Sequence, residues 1–423
     1  MKSVSKERIA ILHYAAPPIV GGVESTIYHH ARLLVNHGYA VSVIAGRGSD
    51  FHPQVALHCL PEIDSRHAQV LEIGKALSSG HVPPQFMSLR DQLARQLRAI
   101  LKDMDVCIVH NVITLHKNFP LTAALRLLVA EGLFEMIAWC HDFAWQDKLY
   151  TADLHPGYPW NLLRIAWPGI RYVVVSNDRR NQLAELLGLP EESIAVVTPG
   201  VDVERFLKLD GLTSSLIDKL DLLDADPFVL LPARVTRRKN IQFAIRITAE
   251  LQKFFPLTAL VITGPPGPHN PKNLAYLDAL KSLCNELKVA DRVHFLYEQG
   301  EHGKPLHLPD KVVADLYQLA DLLLFPSRRE GFGIPVLEAG LARVPVFAAD
   351  IPSVRESAGN FAEFFDPDGH PGSVAESIAS RLAQDPAYRL RKRVLSHFTW
   401  QAIVKHGLIP MIEEAAKHDH ASK

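Results

Sequence analysis

The 423-residue chain has little cysteine: four residues, Cys59, Cys107, Cys140 and Cys284, lie far apart with no CxxC pair. That spacing excludes a disulfide framework and a cysteine-based zinc knuckle, and suits small buried hydrophobes of a reducing compartment. Histidine is abundant at 21 residues, but no HExxH or similarly close spacing points to zinc, so no metal is expected. No apolar run reaches the roughly 18 residues of a membrane-spanning helix. The opening Met1-Lys2-Ser3-Val4-Ser5-Lys6-Glu7-Arg8 leads into an apolar run broken by His13 and Tyr14, a poor signal peptide, so a cytoplasmic location is expected. The formal net charge is only −1, which excludes a global attraction to nucleic acid or to anionic membranes. Internal repeats and low-complexity segments are missing as well.

What is present fits a soluble two-domain α/β protein. The length exceeds one ordinary core, and 48% apolar with 22% charged residues is a globular balance. The chain is organised around Phe325-Pro326-Ser327-Arg328-Arg329-Glu330-Gly331-Phe332-Gly333-Ile334-Pro335-Val336-Leu337-Glu338-Ala339. The apolar run Ala320 to Leu324 before it reads as a buried strand. Pro335 suits the first turn of a helix, where its missing N–H needs no partner. The glycines let the backbone turn sharply and approach a ligand, and free N–H groups at the helix start favour an anion such as a phosphate. Glu330 and Glu338 flank that pocket, placed to bond hydroxyls of a sugar or a ribose. A strand, a glycine turn and an ordinary surface helix would look alike on spacing alone.

Read in order, Arg8 to Tyr14 is a first strand, Ala15 to Gly22 a turn, Val23 to Asn36 a helix stopped at Gly38, and Ala40 to Ala45 a second strand. This order predicts a parallel sheet with helices on its faces. The Gly21-Gly22 turn is not the GxGxxG dinucleotide fingerprint. Further strands are expected at Val55 to Leu60, Val106 to His110, Met136 to Cys140, Tyr172 to Ser176 and Ala195 to Thr198, with helices at Leu89 to Leu101 and Leu121 to Ala130. Several of these strands end in polar pairs: His110-Asn111, His141-Asp142 and Ser176-Asn177. Ligands of open α/β sheets bind beyond the carboxyl ends of strands, so His110, Asn111 and Asn177 are candidate acceptor contacts, while Ser176 is as readily a helix cap. Leu207 to Asp226 reads as a linker. The second half opens with the strand Phe228 to Pro232 and the basic loop Ala233-Arg234-Val235-Thr236-Arg237-Arg238-Lys239-Asn240, in which Arg237 and Arg238 read as solvated. Asn240 to Phe254 is an amphipathic helix and Leu257 to Thr263 a strand. Gly264-Pro265-Pro266-Gly267 is a rigid turn, Val293 to Leu296 a short strand, and Thr399-Trp400 caps a last helix running through Glu414.

These strings resemble the retaining glycosyltransferases of family 4, in the superfamily of glycogen synthase and phosphatidylinositol mannosyltransferase. Glu330 and Glu338 match that family's E-x7-E signature, and Arg234 and Lys239 its R-x4-K pair. Gly21-Gly22 matches its glycine-rich first loop, and His141-Asp142 its His-Asp. Thr198-Pro199-Gly200-Val201-Asp202 resembles its Pro-Asn-Gly-Val-Asp turn without the asparagine. The resemblance implies an α/β chain with the GT-B fold, two Rossmann-like doubly wound domains facing a central cleft: residues 1–205 on the acceptor side, 206–395 for the nucleotide sugar, and 396–423 a helix crossing back to the first domain. It implies that Arg234 and Lys239 grip the donor diphosphate and that Glu330 lies by the donor sugar. Gly331, Phe332, Gly333 and Ile334 would sit under sugar and phosphate, Glu338 would bond the ribose, Tyr297 would lie near the base, and His141 beside the reacting sugar.

The function so implied is transfer of a hexose from a nucleotide diphosphate sugar to a hydroxyl acceptor, with retention and without a metal or other cofactor. Two carboxylates placed for double displacement are not evident, so a front-face route in which the leaving phosphate takes the acceptor proton fits better. Asp224-Ala225-Asp226 and Asp366-Pro367-Asp368 have DxD form but read as turns. A nucleotide-sugar epimerase of the same fold and a non-catalytic sugar-binding scaffold are the alternatives; activity on donor alone would mark the first, and intact Arg234, Lys239, Glu330 and Glu338 argue against the second. The donor base, the sugar, the acceptor and the oligomeric state stay open on these residues.

Overall fold

The structure, a computed structural model, describes residues 6–267 and 272–422. The chain divides into two compact units, Met1–Val201 with Phe398–Lys423, and Asp202–His397.

The first unit is built on seven parallel strands: β1 (Arg8–His13), β2 (Ala40–Ala45), β3 (Val55–Cys59), β4 (Val106–His110), β5 (Glu135–Cys140), β6 (Ile170–Val174) and β7 (Ile194–Val196). Their order is β3-β2-β1-β4-β5-β6-β7, with Ile9 opposite both Val41 and Val106. The strand order reverses between β1 and β4, the place where doubly wound sheets open a crevice beyond their carboxyl ends. The central strands read as unbroken apolar runs because helices cover both faces. On one face lie α1 (Gly22–Asn36) and the C-terminal segment, which contributes Trp400, Ile403, Val404, Leu408 and Ile412. On the other lie α2 (Ala68–Ser78), α3 (Pro84–Leu101) and α4 (Phe119–Ala130). The sequence reading had no helix at Ala68–Ser78. Its buried stripe is only Val70, Ile73 and Leu77, too thin a period to stand out before the fold is known. A fifth helix, α5 (Asn177–Leu187), starts at Ser176, whose Oγ accepts from the Arg179 N–H at 3.2 Å. The strand before it ends at Val174, and Ser176 is a cap.

The second unit carries six parallel strands: β8 (Phe228–Leu231), β9 (Ala259–Ile262), β10 (Val293–Phe295), β11 (Leu322–Phe325), β12 (Val346–Ala349) and β13 (Glu363–Phe365). The order is β10-β9-β8-β11-β12-β13, reversing between β8 and β11. Before them come α6 (Val203–Leu207) and α7 (Gly211–Leu220). The linker expected over Leu207 to Asp226 is therefore corrected. α7 buries Leu216 and Ile217 in the core, Asp210 caps it, and Asp315 accepts from the Asp210 N–H at 2.8 Å. The remaining helices are α8 (Ile241–Leu251), α9 (Lys272–Glu286), α10 (Asp310–Leu319), α11 (Ile334–Leu341), α12 (Pro352–Ala358), α13 (Pro371–Gln384) and α14 (Pro386–His397). Faces are shared out as in the first unit: α8, α9 and α13 pack on one side, α7, α10, α11 and α12 on the other.

The chain then returns to the first unit. Val201 pairs with Thr399 in an isolated parallel bridge, and Thr399 caps α15 (Trp400–Ile403). The last helical stretch is interrupted by a π turn at Val404–Leu408 before α16 (Ile409–Ser422). Pro410, which has no N–H to donate, sits just beyond that turn. No helix among the described residues is long and apolar enough to cross a membrane.

Candidate functional site

In the second unit both motifs stand where the strand order reverses. The basic loop leaves the carboxyl end of β8 and the glutamate loop leaves that of β11, two strands paired side by side with Leu322 opposite Val229. Arg237–Lys239 forms a single 3₁₀ turn closed by Asn240 in the left-handed region, φ 53°. Asn240 Nδ2 donates to the Pro367 carbonyl at 2.9 Å, which fixes the turn. Gly264 is required where the loop after β9 passes this turn. A Cβ there would come within 2.5 Å of the Ala233 carbonyl oxygen.

Lys239 and Glu330 meet. The ammonium lies 2.5 Å from Glu330 Oε1, with both side chains about nine-tenths buried (11% and 9% exposed). The Lys239 ammonium also sits 5.4 Å from the Phe325 ring centre. Arg238 approaches the other oxygen, Oε2, at 3.8 Å. The two loops are tied through their backbones, the Arg328 N–H donating to the Arg238 carbonyl at 2.9 Å. Arg234 is exposed, with no ion-pair partner among the described residues. Arg237 lies over the Tyr276 ring, 5.0 Å from its centre, so it is packed and not merely solvated.

Gly333 caps α11 at φ 96°, and a Cβ there would lie 2.9 Å from Ser357 Oγ, so both conformation and space demand glycine. Gly331 faces open space. Phe332 and Ile334 are exposed beside it, and Pro335 lies in the first turn of α11, leaving N–H groups at the helix start without intrahelical partners. Glu338, one turn further, has its Oε2 bonded by the Tyr317 hydroxyl at 2.6 Å. Burial and the Glu338 carboxylate raise the Tyr317 phenol well above its usual range, so it stays protonated and donates. Tyr317 was not singled out in the sequence; it is the one hydroxyl on a buried helix face that also carries Val312, Asp315, Leu316 and Leu319. A hollow of about 510 Å³, lined by Val313, Tyr317, Gln318, Glu338 and Leu341, opens beside the pair. Tyr297 lies in a 3₁₀ turn, half-buried, its carbonyl accepting from the Leu306 N–H at 2.9 Å.

In the first unit Gly21 and Gly22 start α1, and a Cβ on Gly21 would strike the Glu24 carboxylate at 2.0 Å. Beyond β1, β4 and β5 the histidines gather. His13 Nδ1 lies 2.9 Å from the His110 carbonyl, and His110 Nδ1 lies 3.3 Å from His141 Nε2. Asn111, at φ 59°, accepts through Oδ1 from the N–H groups of His141 (2.7 Å) and Asp142 (3.2 Å) and donates from Nδ2 to Asp142 Oδ2 (3.2 Å). Arg179 stands 3.5 Å from Asp142. Burial lowers the pKa of His141 to about 4, against the raising effect of Asp142. Burial likewise lowers His13 to about 4 and His30 to about 3, and depresses His110 strongly. These rings are neutral at pH 7.

His110 and Asn111, expected as acceptor contacts, are both buried; His110 Nδ1 faces His141, and Asn111 bonds His141 and Asp142. They hold His141, which is half-buried. Asn177 is exposed at the start of α5. Among the described residues no group of three His, Cys, Asp or Glu side chains is arranged to hold a metal ion.

Comparison with known proteins agrees with this geometry. Residues 20–205 match the family Glycosyltransferase Family 4, and residues 214–394 match Glycosyl transferases group 1. Each model covers somewhat under half of the chain and the two together most of it, and the chain belongs to these glycosyltransferases. It is similar to a D-inositol 3-phosphate glycosyltransferase of Nocardia farcinica, 30% identical over 60% of this chain and 54% of that protein. A mannosylglucosylglycerate synthase of Petrotoga mobilis is 26% identical over 60% of this chain and 62% of that protein. A D-inositol 3-phosphate glycosyltransferase of Kineococcus radiotolerans is 26% identical over 92% and 90% of the two chains. The chain thus spans little more than half the length of the first two relatives.

Proposed function

We propose that the protein is a retaining glycosyltransferase that moves a hexose from a nucleotide diphosphate sugar to a hydroxyl acceptor. The observation that carries this is the convergence of Lys239, Glu330 and the open α11 N-terminus at the carboxyl ends of β8 and β11. A diphosphate needs fixed cations, and the leaving group gains charge as the glycosidic bond breaks. Arg234 and Lys239 supply that charge. The amides from Gly331 to Ile334 meet the phosphate and sugar, Glu330 bonds sugar hydroxyls, Glu338 bonds the ribose, and Tyr297 borders the base. His141 meets the transferred sugar as a neutral hydrogen-bonding ring. The acceptor proton goes to the leaving phosphate. Transfer on this reading needs no metal, so activity persists in EDTA.

The named relatives act on an inositol phosphate or make a glycosylglycerate. Inositol phosphate and glycerate are both small and anionic with free hydroxyls, so acceptors of that class are tested first here. The experiment is a panel of UDP-, GDP- and ADP-sugars, scored by thermal stabilisation and slow hydrolysis, then with polyol-phosphate acceptors and NMR of the product anomer. Product of inverted configuration, or turnover of donor to an epimer without acceptor, overturns the reading.

A further inference from the structure

The Lys239–Glu330 pair differs from the other buried carboxylates of its unit. Asp321 is bonded by Lys392 at 2.5 Å, and it also accepts from the Phe228 N–H at 2.7 Å. Asp315 is bonded by Lys311, and it also accepts from the Asp210 N–H and the Thr213 hydroxyl, both at 2.8 Å. Each of those carboxylates is stitched to backbone and cannot leave without stranding an N–H. Among the described residues the Glu330 carboxylate is held by cations alone, Lys239 at 2.5 Å and Arg238 at 3.8 Å. A carboxylate held only by cations can be exchanged for another anion of similar shape. The backbones around it are meanwhile fixed without its help, through Arg328 N–H to the Arg238 carbonyl and Asn240 to Pro367.

We propose that Glu330 is an internal stand-in for the donor phosphate, displaced from Lys239 when the donor binds. With the site empty, Glu330 neutralises an ammonium that would otherwise be buried and unpaired, at a cost of several kcal/mol. The diphosphate takes over Lys239, and the released carboxylate swings to the sugar hydroxyls. A nucleoside diphosphate without a sugar must also displace Glu330, but it offers the freed carboxylate no partner. A sugar-bearing donor does. The exchange therefore makes the site favour sugar-bearing donor over spent nucleotide, which hastens product release. This rests on the reading of Arg234, Lys239 and Glu330 as the donor site.

The test compares wild type with Glu330→Gln and Glu330→Ala, using whichever of UDP, GDP and ADP stabilises the wild type most. Calorimetry and thermal unfolding are read together. Without ligand both variants should melt lower than wild type, because Lys239 loses its partner. Both should bind the nucleoside diphosphate about 5- to 10-fold tighter than wild type, and recover more Tm on binding it. Affinity for the matching nucleotide sugar should rise less or fall, so the preference for sugar-bearing donor shrinks. In Lys239→Met the gain from Glu330→Gln should vanish, since the coupling runs through that ammonium. Nucleoside diphosphate binding that is unchanged or weaker in both Glu330 variants overturns the exchange, even where Arg234→Ala confirms the phosphate site by losing affinity. If neither Arg234→Ala nor Lys239→Met weakens binding, the donor-site reading itself falls and the exchange with it.

Discussion

The Tyr317 hydroxyl donates to Glu338 Oε2 at 2.6 Å, from a phenol that is only 4% exposed. That bond fixes the carboxylate in one orientation. A glutamate near a helix surface loses rotamer freedom when it binds a ribose, and a fixed partner removes part of that cost beforehand. Tyr317→Phe keeps the packing and removes the bond. The expected result is donor KM raised about 3- to 10-fold with kcat changed little, a part of the roughly 1.5–3 kcal/mol of one hydrogen bond to a charged group, because this bond only positions Glu338. A fall in kcat at unchanged KM would show that Glu338 acts on the chemical step instead.

Asp315 joins α7 to α10 by accepting from the Asp210 N–H and the Thr213 hydroxyl while Lys311 neutralises it. Burial pushes its carboxyl pKa up, but the Asp210 N–H, Lys311 and Thr213 outweigh it and the net shift is downward. Asp315→Ala should lower the stability of the second unit by about 2–4 kcal/mol, since it leaves a buried N–H and hydroxyl unpaired. A depressed carboxylate pKa stabilises above the unfolded value and ceases to do so as the pH falls through the folded one. The difference between variant and wild type should therefore shrink below about pH 4. Urea unfolding followed at several pH values checks both parts. A difference that persists unchanged at pH 3 would mean that the aspartate acts by packing alone.

The second unit's site was readable to different depths. β8 and β11 stand out as short, unbroken apolar runs, and the residues after each carry recognisable chemistry. That Lys239 bonds Glu330 is not readable, because 91 residues separate them and only the pairing of β8 with β11 brings them together. Tyr317 is invisible for the same reason: its role depends on α10 lying beside α11. α7 was misread although Asp210 ahead of Gly211 is a helix-start signal, because serines and charges thin the apolar stripe to Leu212, Leu216, Ile217 and Leu220. In the first unit the polar ends of β4 and β5 stand out in the sequence, but not which of their residues faces outward. His110 is consumed in orienting His141, and no local pattern distinguishes the two.

The buried histidines make the first unit acid-sensitive. His13 and His141 fall to about 4 and His30 to about 3, in each case chiefly through burial. Neutral in the folded state, these rings bind protons near pH 6.5 once unfolded. The unfolded state then holds more protons, so stability falls as the pH drops from about 6.5 toward 4, by on the order of 3 kcal/mol for each ring. His30 packs against Trp139 and Trp400 with ring centres at 4.8 and 5.7 Å, and neither ring nitrogen has a hydrogen-bond partner among the described residues. His30→Phe should keep the packing and flatten the decline of Tm between pH 6.5 and 4. An unchanged slope would show that the His30 pKa is the same in the folded and unfolded states, so that burial does not depress it.

His141 is expected to bond a hydroxyl of the transferred sugar. Its backbone N–H is held by Asn111 and its Nε2 faces His110, so the ring has a defined orientation with part of its edge exposed. Its lowered pKa, about 4, leaves it neutral at working pH, able to donate or accept one bond to a sugar hydroxyl but carrying no proton to give. If the leaving phosphate takes the acceptor proton, removing the ring costs a positioning bond and no base. His141→Ala should therefore cut kcat by about 10²- to 10³-fold, the range of a single preorganised bond to the transition state. Nucleoside diphosphate affinity, carried by Arg234, Lys239 and Glu338, should stay within a few-fold. The pH–rate profile of the slow variant should keep the wild-type shape, because no titrating group has been lost. Asn111→Ala should reproduce part of the same kcat loss by freeing the His141 backbone, again without weakening the nucleotide. Kinetics across pH beside calorimetry with the nucleoside diphosphate separates the cases. Equal losses in kcat and nucleotide affinity would move His141 to the phosphate, and a vanished acidic limb in the pH profile would make it the base.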